Sequence, residues 1–217
     1  MNRFSAVIFD LDGTLADSLH DIADAMNQTL THFNYPIYPY EDYKYFVGNG
    51  LRNLVTQCLP EGKNSEKEID EALSVMMKNY GENYVSKTKL YPGISELLDE
   101  LTARGYKMAV LSNKADELTQ RICEVLLSKW KFEMILGAND MYPRKPAPDA
   151  ALFIAKKMGI SSWKFLYLGD TNVDMKTADA AGMYAVGVTW GFRTRKELEE
   201  NGARVIIDQP ADLLKVI

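Results

Sequence analysis

Short apolar runs alternate along most of the chain with segments in which apolar residues recur at helical spacing. The first run, AVIF at residues 6–9, is continuously apolar, which is typical of a strand buried on both faces of a sheet. Such runs predict strands over residues 6–9, 107–111, 134–136, 165–168, 184–188 and 205–207. The periodic segments between the later runs predict helices over residues 94–104, 117–127, 149–158 and 175–181.

One long segment near the start has helical periodicity only. It extends from residue 18 to residue 86, and the predicted helices in it cover residues 18–33, 51–59 and 69–84. Strands that alternate with helices on either side of it indicate an α/β fold with a doubly wound, Rossmann-like parallel sheet. We therefore predict a core formed by residues 1–17 and 87–217 and an inserted helical cap domain formed by residues 18–86.

Composition limits the class of protein. Of the 217 residues, 47% are hydrophobic and 25% are charged, as in soluble globular proteins. The net charge of -5 argues against a general nucleic-acid binder, and no apolar run approaches the roughly 20 residues of a membrane-spanning helix. The two cysteines, Cys58 and Cys123, show no metal-binding spacing. We expect a reduced, cytoplasmic protein without a nucleic-acid or membrane partner, either a monomer or a homodimer.

Polar residues whose side chains could bind a ligand or take part in catalysis follow four of the predicted elements. In a doubly wound sheet, ligands bind beyond the carboxyl ends of the strands. Each group alone has an ordinary explanation, such as a turn, a helix cap or a solvated lysine. Together they indicate one site on one rim of the sheet. The residues are Asp10, Asp12, Gly13 and Thr14; Ser112, Asn113 and Lys114; Lys145; and Asp170 and Asp174.

The residue types on this rim favour metal-assisted phosphoryl chemistry. Clustered carboxylates repel one another unless a cation lies among them, and a set of oxygen ligands favours Mg²⁺. Cations and small hydrogen-bond donors around a metal suit a phosphoryl group. A carboxylate such as Asp10 can attack phosphorus, and a second acid two residues later, Asp12, can transfer the protons.

Four motifs resemble those of the haloacid dehalogenase superfamily of phosphohydrolases. DLDGTL at residues 10–15 resembles the first motif, SN at 112–113 the second, KP at 145–146 the third and GDTNVD at 169–174 the fourth. They occur in the order of the family. The helical insert also lies where this family has its cap domain, so the resemblance covers essentially the whole chain.

The resemblance implies a role for each motif residue. Asp10 is expected to be the nucleophile and a metal ligand, and Asp12 the acid and base. The backbone carbonyl of Asp12 and the carboxylate of Asp170 complete the protein ligands of Mg²⁺, with Asp174 supporting them from outside. Thr14 is expected to form a hydrogen bond within the acidic loop. The residues assigned to phosphate binding are Ser112, Asn113, Lys145, Gly13 and Thr14.

A second resemblance, within the superfamily, concerns the substrate. VGNGLR at residues 47–52 is similar to the cap loop of phosphoglycolate phosphatases. Gly48, Asn49 and Gly50 would then approach the substrate closely, and Arg52 would reach a carboxylate. The alternative is a glycine-containing turn before a helix, with Arg52 in solvent.

The function expected from these patterns is Mg²⁺-dependent hydrolysis of a small phosphomonoester, such as 2-phosphoglycolate, through an aspartyl-phosphate. A phosphosugar mutase or a pyrophosphatase of the same superfamily is an alternative. A more distant alternative is a phosphoacceptor signalling module like the receiver domains of response regulators. Asp12 and the large insert argue against that module, because a receiver domain is shorter and has no cap.

Overall fold

The computed structural model describes residues 3–217, so the predicted core segment 1–17 begins with two residues that lie outside the described ones. The strands, in chain order, are β1 (Ala6–Phe9), β2 (Ala16–Asp17), β3 (Lys89–Leu90), β4 (Lys107–Ala115), β5 (Met134–Ala138), β6 (Phe165–Gly169), β7 (Tyr184–Val188) and β8 (Val205–Ile207). The α-helices are α1 (Leu19–His32), α2 (Tyr40–Phe46), α3 (Leu51–Cys58), α4 (Glu66–Asn83), α5 (Ile94–Ala103), α6 (Asp116–Leu127), α7 (Asp149–Met158), α8 (Asn172–Ala180) and α9 (Arg195–Glu200). Across residues 3–217, we find no helix with the length and apolar character needed to cross a membrane.

Six strands form one parallel sheet in the order β5-β4-β1-β6-β7-β8. The predicted doubly wound sheet is therefore confirmed. In the register of the central strands, Phe9 pairs with Val110 on one side and with Leu168 on the other. The residues that follow these positions consequently meet at one edge of the sheet, where the polar side chains were expected to gather.

Both faces of the sheet are covered by helices. Because side chains alternate along a strand, Val7 and Phe9 of β1 belong to the apolar cluster under α5 and α6. Ala6 and Ile8 belong to the cluster under α7, α8 and α9 on the opposite face. Burial on both faces accounts for the continuously apolar sequence of β1.

The first four helices pack around an apolar cluster of their own. It includes Met26 of α1, Tyr43 of α2 and Met76 of α4, and it also takes in Leu118 and Phe192 from the rest of the chain. Two linkers join these helices to the sheet, and they pair as a short antiparallel ribbon of β2 and β3. We call helices α1 to α4 the cap.

The structure differs from the sequence prediction at several element boundaries. Strand β4 continues to Ala115 instead of ending at residue 111, because Ala115 pairs with Ala138 beyond an irregularity in the register. Helix α8 begins at Asn172 and not at residue 175. Helix α2, which follows Pro39, was not predicted because its sequence, YEDYKYF, has too few apolar residues in phase to show a helical stripe.

Candidate active site

Asp10 directly follows β1 at the edge of the sheet. Its backbone N–H donates to the carbonyl of Leu168 at 2.9 Å, which fixes its position between two strands. Its Oδ1 accepts a hydrogen bond from the N–H of Leu11 at 2.7 Å and lies 2.9 Å from Nζ of Lys145. No donor to Oδ2 is found within residues 3–217. Oδ2 is thus the oxygen of Asp10 that is available to bind or react with a ligand.

Three buried carboxylates converge at this edge. Asp10, Asp170 and Asp174 each present an oxygen within 4.8 Å of the other two. Burial, together with the charge of Asp174, raises the pKa of Asp10 from 3.8 to about 7 even though Lys145 lowers it. Burial and the charges of Asp174 and Asp10 raise the pKa of Asp170 well above its ordinary value. A hard divalent cation would relieve this repulsion, so the three acids fit a metal such as Mg²⁺.

Asp170 is held by contacts from two other segments. Thr14 Oγ1 donates to its Oδ1 at 3.0 Å, and the N–H of Phe192 donates to its Oδ2 at 2.8 Å. The hydrogen bond of Thr14 therefore reaches across to the fourth motif, whereas a bond within its own loop was expected. A Cβ atom on Gly13 or on Gly191 would lie 2.2 Å and 2.3 Å, respectively, from atoms of Asp170. The segment around Gly191 was not among the predicted site residues.

Asp174 connects helix α8 to the third motif. Its Oδ2 accepts from both the N–H and the hydroxyl of Thr171, at 3.2 Å and 2.7 Å. Its Oδ1 accepts from Nζ of Lys145 at 2.7 Å. The sequence assigned Asp174 a supporting role outside the metal ligands. The structure brings one of its oxygens into the same cluster as Asp10 and Asp170.

Lys145 is fully enclosed and remains charged. Burial alone would lower the pKa of its ammonium group, but Asp10 and Asp174 raise it well above its ordinary value. Its backbone is fixed by Asn113, whose amide oxygen accepts from the Lys145 N–H at 2.9 Å. The amide nitrogen of Asn113 donates to the carbonyls of Lys145 and Gly48 at 3.0 Å and 3.1 Å. The Asn113 side chain thus joins the third motif to the cap loop, and its contact with phosphate stays a prediction.

Asp12 lies outside the cluster of three acids, and its carboxylate forms a partly buried ion pair. Nζ of Lys114 lies 2.5 Å from Oδ1 and 2.7 Å from Oδ2, and the Ser18 hydroxyl donates to Oδ1 at 2.5 Å. Burial would lower the pKa of Lys114, but Asp12 raises it above its ordinary value. Lys114 was noted in the sequence only as part of the SNK triplet. The binding of metal by the Asp12 backbone carbonyl stays a prediction.

A cavity lies between the sheet edge and the cap. Its core wall contains Asp10, Asp12 and the segment from Ser112 to Lys114. Its cap wall is apolar and is formed by Ile22, Val47, Gly48, Gly50, Leu51 and Leu54. A Cβ atom on Gly50, where φ is +85°, would lie 3.2 Å from the carbonyl oxygen of Asn113. The glycine therefore permits the close approach of cap to core at this point.

Two residues of the cap loop that were expected to contact the substrate, Asn49 and Arg52, do not line the cavity. The guanidinium group of Arg52 binds Asp70 at 2.6 Å and also Glu66, and all three side chains are substantially exposed. Asn49 is exposed as well. Ser112, in contrast, is buried, lines the cavity and accepts a hydrogen bond from the N–H of Lys114 at 3.2 Å. The structure thus supports the alternative interpretation of Arg52 as a residue of the cap surface.

The chain resembles known proteins over nearly its whole length. The sequence pattern of a family described as haloacid dehalogenase-like hydrolase matches residues 7–188. A phosphoglycolate phosphatase of Aquifex aeolicus (strain VF5) is 33% identical over 211 residues, or 97% of this chain and 95% of that protein. A phosphoglycolate phosphatase of Haemophilus influenzae (strain 86-028NP) is 31% identical over 99% of both chains. A crystal structure described as a predicted phosphoglycolate phosphatase from Haemophilus somnus 129pt covers 100% of this chain and 99% of its own, with 31% identity and a TM-score of 0.93.

Proposed function

Since this chain belongs to the haloacid dehalogenase-like hydrolase family and is a phosphatase, we propose that it hydrolyses a small phosphomonoester with Mg²⁺ through an aspartyl-phosphate. The observation that carries the proposal is the buried arrangement around Asp10. One of its oxygens is bound by Lys145 at 2.9 Å, and Asp170 and Asp174 lie close enough to share a cation with it. This leaves a carboxylate oxygen of Asp10 facing the site next to positive charge.

In the first step, an oxygen of Asp10 attacks the phosphorus atom of the ester. The bond between phosphorus and the leaving alcohol breaks as the bond to Asp10 forms, and Asp12 gives its proton to the leaving oxygen. The ammonium group of Lys145 offsets negative charge on the phosphoryl oxygens. The hydroxyl of Ser112, which lines the cavity, is available to donate to one of them.

In the second step, water hydrolyses the aspartyl-phosphate. Asp12 takes a proton from the attacking water, the bond between Asp10 and phosphorus breaks, and inorganic phosphate leaves. Asp12 and Asp10 then return to their starting states. The ion pair with Lys114 and the hydrogen bond from Ser18 support the role of Asp12 as the base in this step, because they hold its carboxylate in one orientation.

The metal in this proposal is held by the carboxylates of Asp10 and Asp170, with Asp174 close by. Bound Mg²⁺ supplies positive charge that compensates the clustered acids and polarises the phosphoryl group. The donor set supports this assignment, since only oxygen atoms are offered and the pKa values of Asp10 and Asp170 are raised in its absence.

The small size of the cavity supports a small substrate, such as 2-phosphoglycolate. It also supports a cap that moves to admit that substrate. Its volume is about 30 Å³, which is room for roughly two water molecules. A phosphate ester enters only if the cap swings away from the sheet edge and then closes over it. We place the enzyme in the cytoplasm, in keeping with the two free, buried cysteines, Cys58 and Cys123.

The test is phosphate release from a panel of substrates, with and without Mg²⁺. The panel contains 2-phosphoglycolate, sugar phosphates, nucleoside monophosphates and pyrophosphate, and the control is Asp10→Asn. We expect Mg²⁺-dependent release from a small monoester and none from the folded variant. A variant that keeps a large share of the wild-type rate would remove Asp10 from the nucleophile role. Release from pyrophosphate alone would replace the proposed reaction with that of a pyrophosphatase.

A further inference from the structure

Arg193 is a cation of the core for which neither reaction step has a use. It lies between β7 and α9, and its side chain is 8% exposed. Its Nε lies 3.4 Å from Oε1 of Glu197 in α9. Nη1 donates to the carbonyl of Lys44, and Nη2 donates to the carbonyls of Tyr45 and Val47 at 3.3 Å and 3.1 Å. Two of the three guanidinium nitrogens thus bind the backbone of the cap.

The carbonyls that Arg193 binds lie at the carboxyl end of α2. The last carbonyls of a helix have no partner within that helix, and an arginine side chain can satisfy them. In α2 the carbonyl of Tyr43 accepts from the N–H of Val47 at 3.0 Å. The next two carbonyls, those of Lys44 and Tyr45, accept from Arg193. A side chain of the core therefore completes the end of a cap helix.

The same contacts fix the start of the cap loop at the cavity. Val47 directly follows α2, and Val47, Gly48 and Gly50 line the cavity. Asn113, also from the core, donates to the carbonyl of Gly48 at 3.1 Å. The core therefore holds two successive residues of this loop by their backbone. Arg193 does not line the cavity itself, so any influence on a substrate passes through the loop.

The residues just before Arg193 contact the acid cluster. The N–H of Phe192 donates to Oδ2 of Asp170 at 2.8 Å, and the Phe192 side chain is buried in the apolar cluster of the cap. A Cβ atom on Gly191 would lie 2.3 Å from Cβ of Asp170. The backbone that carries Arg193 is thus packed closely against the site, and the guanidinium group has a fixed base from which to hold the cap.

We propose that Arg193 is a positioning residue that keeps the cap closed over the substrate. This inference rests on the proposed function, in which the ester enters through an open cap and reacts after closure. Arg193 belongs to the core and its carbonyl partners belong to the cap, so opening separates them. Hydrogen bonds that exist only in the closed state shift the equilibrium toward closure. Their loss lowers the fraction of closed enzyme and weakens apparent substrate binding.

The first test compares Arg193→Gln with Arg195→Gln, an exposed arginine that pairs with Asp208. The substrate is the monoester that the wild type hydrolyses fastest. We expect KM to rise about tenfold in Arg193→Gln, as for loss of hydrogen bonds to a charged group, and to stay unchanged in Arg195→Gln. Since most of the bound enzyme still closes, kcat should stay within about twofold. An unchanged KM in Arg193→Gln would overturn the proposal. A wild type that hydrolyses no monoester would overturn the proposed function instead.

The second test follows opening of the cap without any substrate. Leu54 is buried on the cap wall of the cavity, so a thiol reagent reaches Leu54→Cys when the cap opens. We expect Arg193→Gln to speed this labelling by about the factor by which KM rises. Cys123, buried in the core, reports unfolding of the whole chain and should keep its labelling rate. If labelling at residue 54 is not faster, Arg193 only completes the end of α2 and the proposal fails.

Arg193→Lys replaces Arg193→Gln in both tests if the glutamine variant does not fold. Lysine keeps the charge, but its single nitrogen cannot span the three carbonyls that the planar fork of arginine reaches. We therefore expect a smaller rise in KM and in the labelling rate of Leu54→Cys. Wild-type values for both quantities in Arg193→Lys would overturn the proposal.

Discussion

The ammonium group of Lys145 lies 2.7 Å from Oδ1 of Asp174, and neither side chain is more than 2% exposed. A buried ion pair of this kind is costly to break, because the remaining partner would be an uncompensated charge. The same ammonium group lies 2.9 Å from Asp10. The pair therefore fixes the lysine of the third motif against the acids of the first and the fourth.

We expect Asp174→Asn to weaken Mg²⁺ binding, while Lys145 keeps Asp10 as a charged partner at 2.9 Å. The amide has no charge to balance Lys145 or to share a cation with Asp10 and Asp170. Loss of such a supporting carboxylate typically lowers metal affinity about tenfold to a hundredfold. The measurement is the Mg²⁺ concentration for half-maximal phosphate release. Asp179→Asn, at an exposed acid of the same helix, is the control and should leave that concentration unchanged.

Gly13→Ala is expected to disable the site by steric contact. Gly13 has a φ of +84°, and a Cβ atom there would lie 2.2 Å from Oδ2 of Asp170. A displacement of about 1 Å can cost about a hundredfold in rate, so we expect a loss of kcat/KM of at least that size. Gly62→Ala separates the contact from backbone strain, because Gly62 has a φ of +76° and nothing within 4 Å of the added atom. Similar losses of activity in both variants would refute the steric explanation.

The stability of the metal-free protein should fall as the pH rises toward neutrality. The pKa of Asp10 is raised from 3.8 to about 7, so between these values the folded chain holds a proton that the unfolded chain has lost. Unfolding therefore becomes easier as pH increases through this window. Mg²⁺ binds the deprotonated carboxylate, so its effect on the melting temperature should be larger at about pH 8 than at about pH 5. A shift of equal size at both values would contradict this account.

Asp21 is expected to stabilise the junction between cap and core. It is buried at the start of α1 and accepts hydrogen bonds from the N–H of Lys87 and from the N–H and hydroxyl of Thr88. Asp21→Ala leaves these donors unpaired, and we expect it to cost about 2–3 kcal/mol in the free energy of unfolding.

The matched control for this junction is Asp24→Ala, one turn further along α1. Asp24 pairs with Lys87 and Tyr40 near the surface, so its loss should cost only about 0–1 kcal/mol. Urea denaturation of both variants gives the comparison. Equal losses in the free energy of unfolding would show that the buried backbone contacts of Asp21 stabilise the junction no more than the surface contacts of Asp24.

Much of the fold could be predicted from sequence. The apolar run of β1 and the alternation of strands and helices after residue 90 indicated a parallel sheet, which the structure confirms. Helix α2 and the carboxyl end of β4 were missed, since short aromatic segments and irregular registers leave no clear periodicity. The position of Asp10 and Asp170 directly after strands was also predictable, because parallel strands bring their carboxyl ends to one edge. Ser112, which was expected to follow a strand, lies within β4.

The sequence by itself determined which chemical groups gather at the sheet edge, since parallel strands place the residues that follow them at one edge. Only the tertiary structure decided their partners. Asp12 and Lys114 are 102 positions apart, yet they form the partly buried pair that lines the cavity. Arg52, beside the cap glycines in sequence, binds Glu66 and Asp70 instead. The partner that a side chain finds depends on packing between distant segments, which local sequence patterns do not carry.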